Sequence, residues 1–544
     1  MKYLPEVKAS LNIRKSTQST FGGLNRTPSA CDGEICAMVN ISSDKYPLLS
    51  PRPDRFSLTT LKKPNGIYAR DGLWYVDGEV LYRNGEAVGS VSDSRKTFSG
   101  LGSRVVILPD KVYYDTETEE FGNIEAYWSG EAKFSDGAYA GIPAAGCSIV
   151  TDGKPFPFAA GDAVEIEAEV NRGTLIIREI SEDKKTLVFY ENSFTVTDKA
   201  VKLTLSRKMP DLDCVCSYNN RLWGAKGDVV YASKPGDITN WYCYDGLASD
   251  SWTTSAGTPG SFTGCSAFLG FPCFFKEDAV YKVYGDLPSN FRLMGGAATG
   301  IKEGEAASAA VAGEVLFYLS RSGIMAYSGA TPAVVSYPLG NAFPYTAGNS
   351  VAGSDGRRYY ISLSAGEDAA EYGKHIFVYD TALGLWHRED DREAVGFAYD
   401  GNLYMLAADG DLLMLRGDAG DVFVTPSEES EFCSFVEFGP FYAADPNHKG
   451  SCKVQLRAEV EAGASLTVEI CFSGSPDHMV NGVSGGSAKN EWHRAGHIEA
   501  AATRSYYLPI IPRRGDAFRL RLRGRGHWTL QSITREYYIG SELR

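Results

Sequence analysis

Neighbouring carboxylates are the first residues of this chain that could do chemistry, because a pair of acids can hydrolyse a glycosidic bond by general acid and base catalysis. Two such pairs are Asp390-Asp391 and Glu119-Glu120. Adjacent residues of a strand point to opposite faces of a sheet, so neither pair makes an acid–base couple by itself. We expect most of these acids to be solvated turn residues.

Two spacings are typical of metal ligands. His493 and His497 are four residues apart, as on a metal-binding helix, but the segment contains Gly496 and lacks the Glu of a metalloprotease helix. Cys31 and Cys36 have a metal-like gap, yet no second cysteine pair or nearby histidine completes a site. We expect surface histidines and reduced cysteines here rather than a metal centre.

Motifs for nucleophilic catalysis or phosphate binding give no candidate site in this sequence. It contains no Gly-Lys-Ser/Thr loop, and its one Gly-x-Ser-x-Gly match, at 482–486, lies in a Gly- and Ser-rich run rather than between a strand pattern and a helix pattern. The sequence therefore predicts no catalytic, cofactor-binding or metal-binding residue, no cofactor and no enzyme activity.

The remaining candidates are residues of an interface. Arg519, Arg521 and Arg523 alternate along one strand pattern and form a positive stripe in an acidic protein. The stripe is either a solvated sheet face or a docking site for an acidic partner surface. Trp241, in a loop, either anchors an interface as an exposed aromatic residue or packs at the end of a sheet.

Composition excludes several classes of protein. The 544 residues carry a formal charge of −14, which disfavours a surface that coats nucleic acid. No apolar run is long enough to span a bilayer, and the N-terminus lacks the apolar core of a secretory signal. The 11 cysteines are an odd number, and several lie within strand patterns, as buried reduced cysteines do. We therefore expect a protein that is made and folded in a cytoplasm.

A repeated pattern in the sequence predicts the β-hairpins that would position these residues. Seven times, a short apolar run breaks at a turn rich in Gly or Asp and resumes as a second run that usually ends in Tyr. Hairpins that recur every ~30–50 residues are typical of a β-propeller. We predict an all-β chain with a propeller of about seven blades over 61–425; six or eight blades are the alternatives, because the weakest copies lack the Tyr. The copies are 72–82, 105–114, 221–231, 274–281, 315–327, 359–379 and 403–415.

Three segments do not fit the hairpin repeat. Residues 1–60 are rich in Pro and Gly, which predicts an extended N-terminal arm with short strands that closes the ring or reaches a neighbouring subunit. Strand patterns within 145–207 predict a small β-barrel inserted between blades. Strict alternation within 426–544 predicts a C-terminal β-sandwich.

Several motifs together resemble β-propeller structural proteins of tailed bacteriophages. The resemblance covers most of the chain through short motifs, and its first motif contains Phe21 and Leu24, which we expect at an interface of the arm. The motifs are Phe21-Gly22-Gly23-Leu24-Asn25, Asp32-Gly33-Glu34, Ser50-Pro51-Arg52-Pro53, Arg221-Leu222-Trp223, Val230-Tyr231-Ala232-Ser233, Pro235-Gly236-Asp237, Asn240-Trp241, the 161–166 strand and Arg535-Glu536-Tyr537-Tyr538.

The resemblance implies a tail hub or a head-completion stopper, built as a homo-oligomeric ring that is expected to be hexameric. Its partners would be the phage portal, adaptor and tail proteins. Genomic DNA would pass through the ring without sequence-specific binding, and the ring would gate its exit. The location would be the virion, assembled in the cytoplasm of the host bacterium. An acidic surface is compatible with DNA that has to leave.

Two other functions compete with this one. A carbohydrate-binding propeller would bind glycans through residues such as Trp241, and a glycosidase would lose activity on substitution of a single Asp or Glu. Portal, terminase or tail genes beside this gene would favour the virion hypothesis.

Overall fold

The computed structural model contains strands and short turns of 3-10 helix, and no α-helix among the residues that it describes. The 3-10 helices are η1 (Ala306–Ser308) and η2 (Tyr337–Leu339). The structure describes residues 13–28, 30, 32–139, 142–190, 194–340, 350–364, 374–390, 392–420, 422–429, 431–442, 449–472, 492–499, 503–510, 513–515 and 517–539. The predicted all-β class is confirmed.

Five strands lie before the first repeated sheet, and sheets 1 and 2 follow them. The five are β1 (Ile13–Gln18), β2 (Ile35–Val39), β3 (Ile41–Ser42), β4 (Ser50–Pro51) and β5 (Phe56–Thr60). Sheet 1 contains β6 (Pro64–Ala69), β7 (Leu73–Asp77), β8 (Val80–Arg83) and β9 (Glu86–Ser90), and sheet 2 contains β10 (Thr97–Leu101), β11 (Arg104–Leu108), β12 (Val112–Asp115) and β13 (Glu120–Asn123).

Six strands of a closed barrel interrupt the repeat, and sheets 3 and 4 come next. The barrel strands are β14 (Ala126–Tyr139), β15 (Ile142–Val150), β16 (Ala163–Ala168), β17 (Arg172–Ile180), β18 (Thr186–Phe189) and β19 (Val201–Arg207). Sheet 3 contains β20 (Cys214–Tyr218), β21 (Arg221–Lys226), β22 (Val229–Ala232) and β23 (Trp252–Ser255), and sheet 4 contains β24 (Gly264–Phe268), β25 (Phe271–Phe275), β26 (Ala279–Tyr284) and β27 (Arg292–Ala297).

The last repeated sheets are sheets 5 to 7. Sheet 5 contains β28 (Ala310–Ala312), β29 (Val315–Ser320), β30 (Gly323–Tyr327) and β31 (Ala333–Val334), and sheet 6 contains β32 (Val351–Ser354), β33 (Arg358–Ser364), β34 (Lys374–Asp380) and β35 (Leu385–Arg388). Sheet 7 contains β36 (Ala394–Asp400), β37 (Asn402–Ala407) and β38 (Asp411–Arg416), completed by β5 and by β39 (Ser427–Glu428).

The C-terminal strands form two five-stranded sheets. Eight of their ten strands are β40 (Cys433–Phe438), β41 (Lys449–Val460), β42 (Ser465–Cys471), β43 (His493–Ile498), β44 (Arg504–Leu508), β45 (Arg513–Gly515), β46 (Arg519–Arg525) and β47 (Trp528–Ile539), and the other two are β1 and β2. One sheet has the order β1-β47-β41-β44 with β45 beside β41, and the other has the order β2-β40-β46-β42-β43. We call them the C-terminal sheet pair.

The repeated hairpins have tight turns that glycine permits. Lys226 pairs with Val229 across a turn whose first central residue, Gly227, has a φ of +60°. Gly78 has the same φ in the corresponding turn of sheet 1. A positive φ at this position matches the twist of the two strands, and a residue with a Cβ would be strained there.

Each second strand of the seven sheets is buried on both faces, which explains its continuous apolar run. In β21, Leu222 packs against sheet 2, whereas the next residue, Trp223, packs against sheet 4. In β25, Phe274 faces sheet 3 and Phe275 faces sheet 5. Seven hydrophobic cores arise in this way, one between each pair of consecutive sheets and one between sheets 7 and 1.

The sheets follow one another in a closed cycle. The first strand of each sheet contacts the first strand of the next, except that β24 contacts η1, directly before β28, and β36 returns to contact β6. Sheet 7 takes its fourth strand from the N-terminal part of the chain, since β5 pairs antiparallel with β38.

The predicted small barrel is present as a closed barrel of six strands. Its strands close in the order β14-β15-β18-β17-β16-β19 around Trp128, Phe134 and Phe189. The barrel begins at Ala126, earlier than the expected residue 145. The pattern did not indicate β14 because Ser129, Gly130 and other small or polar residues separate its apolar positions.

The interval 1–60, expected to be an extended arm, contributes strands to several sheets. β1 pairs with β47, β2 pairs with β40, and β5 belongs to sheet 7. One hydrophobic core contains Phe21 and Ile41 of this interval, residues of sheets 5 and 6, and both sheets of the C-terminal sheet pair. The N-terminal interval therefore joins the sheet pair to the repeated sheets.

Candidate functional site: a buried ionic joint and an arginine strand

Charged side chains gather where the segment 40–55 meets sheets 6 and 7, and all of them except Asp44 and Arg416 are buried. We call the group of Asp44, Arg55, Arg358, Asp380, Glu389, Asp390 and Arg416 the ionic joint. Its members come from the N-terminal segment, from the ends of β33, β34 and β38, and from the residues after β35.

Arg55 is the most enclosed cation of the joint. Its Nη2 donates to Glu389 Oε2 at 2.6 Å, and its Nη1 donates to Asp390. The side chains of Arg55 and Glu389 are 3% and 4% exposed. A buried guanidinium between two carboxylates is stable only while all three remain paired, because an unpaired charge at this depth is costly.

Asp44 connects the same segment to two different strands. It accepts a hydrogen bond from Arg416 Nη1 at 2.9 Å and another from Arg358. Arg358 begins β33 and Arg416 ends β38, so one carboxylate joins sheets 6 and 7. Arg416 also donates to the Tyr360 hydroxyl.

Asp380 closes the joint at the end of β34. It accepts hydrogen bonds from Ser43 Oγ at 2.7 Å and from Arg357 Nη2 at 2.8 Å. Its side chain is completely buried. Each of these bonds ties the N-terminal segment or a turn to sheet 6.

Electrostatics keep the three aspartates of the joint ionised near neutral pH. Burial alone would raise the pKa of Asp44, Asp380 and Asp390, but the neighbouring arginines and hydrogen-bond donors outweigh it and lower all three. Burial lowers the pKa of the adjacent His387 to about 4, so this histidine is neutral. The three aspartates are therefore ionised near pH 7, and their ion pairs hold chain segments together.

Arg519, Arg521 and Arg523 lie in β46 as the alternation predicts, but their surroundings differ. Arg519 is buried, Arg521 is half-buried and Arg523 is exposed. Arg519 Nη1 and Arg521 Nε donate to the two oxygens of the buried Glu437, at 3.2 and 2.7 Å.

Other contacts occupy the rest of this strand. The Arg521 guanidinium lies 3.8 Å from the centre of the Trp492 ring, and Arg523 Nε donates to Glu469 Oε2 at 3.3 Å. The stripe is thus neutralised by acids of its own sheet, and Arg519 is not on the surface. A docking role stays a prediction for the exposed end at Arg523.

Phe21 and Leu24 lie at a junction inside the chain. Both are buried in the core that contains the C-terminal sheet pair, and the Phe21 ring centre is 5.7 Å from that of Phe438. The Leu24 amide donates to the Trp386 carbonyl of β35 at 2.6 Å. The arm residues that were expected at an interface therefore contact sheet 6 and the sheet pair of the same chain.

Trp241 is not an exposed loop aromatic. It is 1% exposed, and its Nε1 donates to the Ile238 carbonyl at 2.9 Å. It packs in the core between sheets 2 and 3, which corresponds to the second of the two expectations. The short polar residues near Trp241 in the sequence, such as Asp237 and Asn240, are typical of a surface loop.

The residues with metal-like spacing lie apart from any cluster. His493 and His497 are on the strand β43, where His497 hydrogen-bonds to Thr467 at 2.8 Å. Cys31 is outside the described residues, whereas Cys36 is buried, and burial raises the pKa of its thiol to about 12. Within the described part of the chain, no group of three or more His, Cys, Asp or Glu side chains could hold a metal ion.

Of the paired acids, Glu119 and Glu120 are solvated as expected, whereas Asp390 is buried, contrary to the expectation. Glu119 and Glu120 are exposed, and Glu119 has a φ of +58°. Asp390 belongs to the ionic joint, and Asp391 is outside the described residues.

No described helix is long and apolar enough to cross a membrane.

The sequence interpretation missed the ionic joint. Its residues lie far apart in the chain, with 372 positions between Asp44 and Arg416. The available signal was local: Asp44, Arg52 and Arg55 are charged residues in an otherwise apolar, Pro-rich segment. Their partners could not be identified from the pattern.

Comparisons with known proteins add little. No family model and no curated protein matches the chain. Among solved structures, an exo-β-1,3-galactanase from Phanerochaete chrysosporium is similar at 9% identity, covering 59% of this chain and 94% of the galactanase, with a TM-score of 0.22. A structure of S. cerevisiae Dbp5 bound to Nup159 and Gle1 is similar at 10% identity, covering 73% and 96% of the two chains, with a TM-score of 0.21. Likenesses this low carry no argument about function.

Proposed function

We propose that the seven sheets are the blades of a β-propeller and that the C-terminal sheet pair is a β-sandwich. The support is the cycle of cores: each sheet packs one face on the preceding sheet and the other on the following sheet. The strand β5 would close the ring in sheet 7, because it joins an early segment of the chain to the last hairpin.

On this platform we infer a structural role in a virion, as a tail hub or a head-completion stopper of a tailed bacteriophage. The observation that carries the proposal is that buried and partly buried ionic groups lie at joints between parts of the chain. Arg55, Asp44 and Arg416 join the N-terminal segment to sheets 6 and 7, while Arg519 joins two strands of the sheet pair. Such a molecule is built to keep its parts in fixed relation, as an assembly component must.

The composition of the strands nearest the proposed propeller axis favours a structural role rather than hydrolase activity. The seven first strands contain mainly small, apolar and hydroxyl-bearing residues, and Asp400 at the end of β36 is their only charged residue. A retaining or inverting glycosidase needs two carboxyl groups on either side of its substrate.

The proposed assembly is a ring of copies of this chain, expected to be six-fold, in contact with portal, adaptor and tail proteins. It would form in the cytoplasm of the host bacterium and remain in the virion. The net charge of −14 suits a passage through which DNA moves without sticking, since phosphates are repelled by an acidic wall.

Electron microscopy of the purified chain and of phage particles from a host that carries its gene tests the proposal. We expect rings of the purified protein and antibody labelling at the head–tail or tail-tube junction. A stable monomer that binds no portal, adaptor or tail protein, together with unlabelled particles, would contradict it.

Glycan binding is the control for the competing hypothesis. A carbohydrate-binding propeller would show saturable binding on a glycan array, and a glycosidase would release sugar. Trp241 is buried and cannot stack on a sugar in this conformation. We therefore expect no glycan signal that depends on it.

A further inference from the structure

The strand β27 is an open edge of sheet 4. In the part of the chain that the structure describes, it pairs with β26 and with no other strand. Five of its six residues are exposed. Alternate N–H and C=O groups along its outer side therefore have no strand partner, and such an edge is a template for another extended strand.

This edge lacks the usual protection against pairing. Proteins block open edges with charges, prolines, bulges or a covering segment. The only charged residue of β27 is Arg292 at its start, and its register with β26 runs through six pairs without a bulge. The edge of sheet 6, in contrast, is covered by the chain itself, since the Leu24 amide donates to Trp386 of β35.

The side chains of β27 are self-complementary. Met294 is 58% exposed, and Gly296, two residues along and on the same face, has an open space where a Cβ would meet nothing within 4 Å. When two copies of the strand pair antiparallel about Gly295, Met294 of each copy lies opposite Gly296 of the other. The Met294 side chain of each copy then fills the open space beside Gly296 of the other copy.

We propose that β27 pairs with β27 of a second copy of this chain, so that the two copies of sheet 4 form one eight-stranded sheet. The exposed Tyr284 and Leu287, at 40% and 44%, provide apolar surface beside the pairing edge. A two-fold contact ends at two copies, whereas a ring needs a head-to-tail contact. The inference is therefore independent of the proposed virion role.

Sedimentation velocity of the full chain over a range of concentrations tests this pairing. We expect two-fold association of the unsubstituted protein, as a dimer of free chains or as two joined rings where the chain has assembled. The dissociation constant of this contact should rise roughly tenfold or more in Met294→Lys, which places charges on the edge, and in Gly296→Val, which fills the space. Thr253→Lys, on the exposed edge strand of sheet 3, is the matched control and should leave the dimer unchanged.

Hydrogen exchange identifies the strand directly. The amides of 292–297 should exchange more slowly in the dimer than in the monomer, while those of 252–255 should not change. A monomer at every concentration overturns the proposal, as does a dimer that survives Met294→Lys and Gly296→Val or that protects another strand. Unchanged circular dichroism of each variant shows that the fold is retained.

Discussion

Arg55→Met is the substitution that tests the ionic joint most directly. It removes the cation between Glu389 and Asp390, whose side chains are 4% and 10% exposed, and it keeps most of the side-chain volume. Breaking a buried ion pair costs ~3–5 kcal/mol, because the partner remains as an uncompensated buried charge. Arg416 lies 3.8 Å from Glu389 and partly compensates it, so we expect the lower end of this range, about 3 kcal/mol.

The effect can be measured at the joint itself. The Glu429 amide donates to the Arg55 carbonyl at 3.0 Å, so its hydrogen exchange reports local opening of this segment. A loss of about 3 kcal/mol corresponds to roughly 100-fold faster exchange. Arg525→Met is the matched control, because the pair of Arg525 with Glu431 is largely exposed and such pairs contribute ~0–1 kcal/mol.

A rescue variant separates charge from packing. Adding Glu389→Gln and Asp390→Asn to Arg55→Met removes the uncompensated charges, so most of the lost protection should return. The reasoning is refuted if Arg55→Met accelerates exchange no more than Arg525→Met does, or if the triple variant is no better than the single one.

Three further predictions concern other buried residues. The pKa of His387 is about 4 in the folded protein against 6.5 in the unfolded chain. The contribution of the neutral imidazole to stability is therefore complete above pH 6.5 and is lost as the pH falls from 6.5 to 4. His387→Phe should remove this loss, measured as the pH dependence of the urea unfolding midpoint. Trp241→Ala should destabilise the chain by ~3–5 kcal/mol, measured by thermal unfolding, and should leave glycan-array signals at background. Arg519→Met should lower the unfolding midpoint clearly more than Arg523→Met, since only Arg519 is paired at full burial; equal effects would contradict the burial of Arg519.

Local pattern was enough to predict the strands and much of their arrangement. The turn at Gly227 and the run around Trp223 indicated a hairpin because both signals lie within a few residues. Continuous apolar runs such as Phe274-Phe275 already required burial on both faces, and the structure places a core on each. The strand patterns within 145–207 predicted the barrel, except for β14.

Long-range pairing could not be predicted in the same way. Nothing near Phe56–Thr60 indicates that this strand pairs with β38, because an edge is chosen by the whole fold. Alternation correctly put Arg519 and Arg523 on one face but could not show that Glu437 lies beneath one end of it. The same limit applies to Trp241, whose neighbours in sequence are polar although its neighbours in space are apolar.

The pairing of β5 with β38 has a consequence for how the chain is made. Thr60 and Asp411, which face each other in sheet 7, are 351 residues apart. At ~5–20 residues per second, a ribosome needs roughly 20–70 s to synthesise the partner after β5 has been made. During that interval the strand Phe-Ser-Leu-Thr-Thr has no edge to join, so the cycle of sheets can be completed only late in translation, and the nascent chain has to be kept from pairing elsewhere until then.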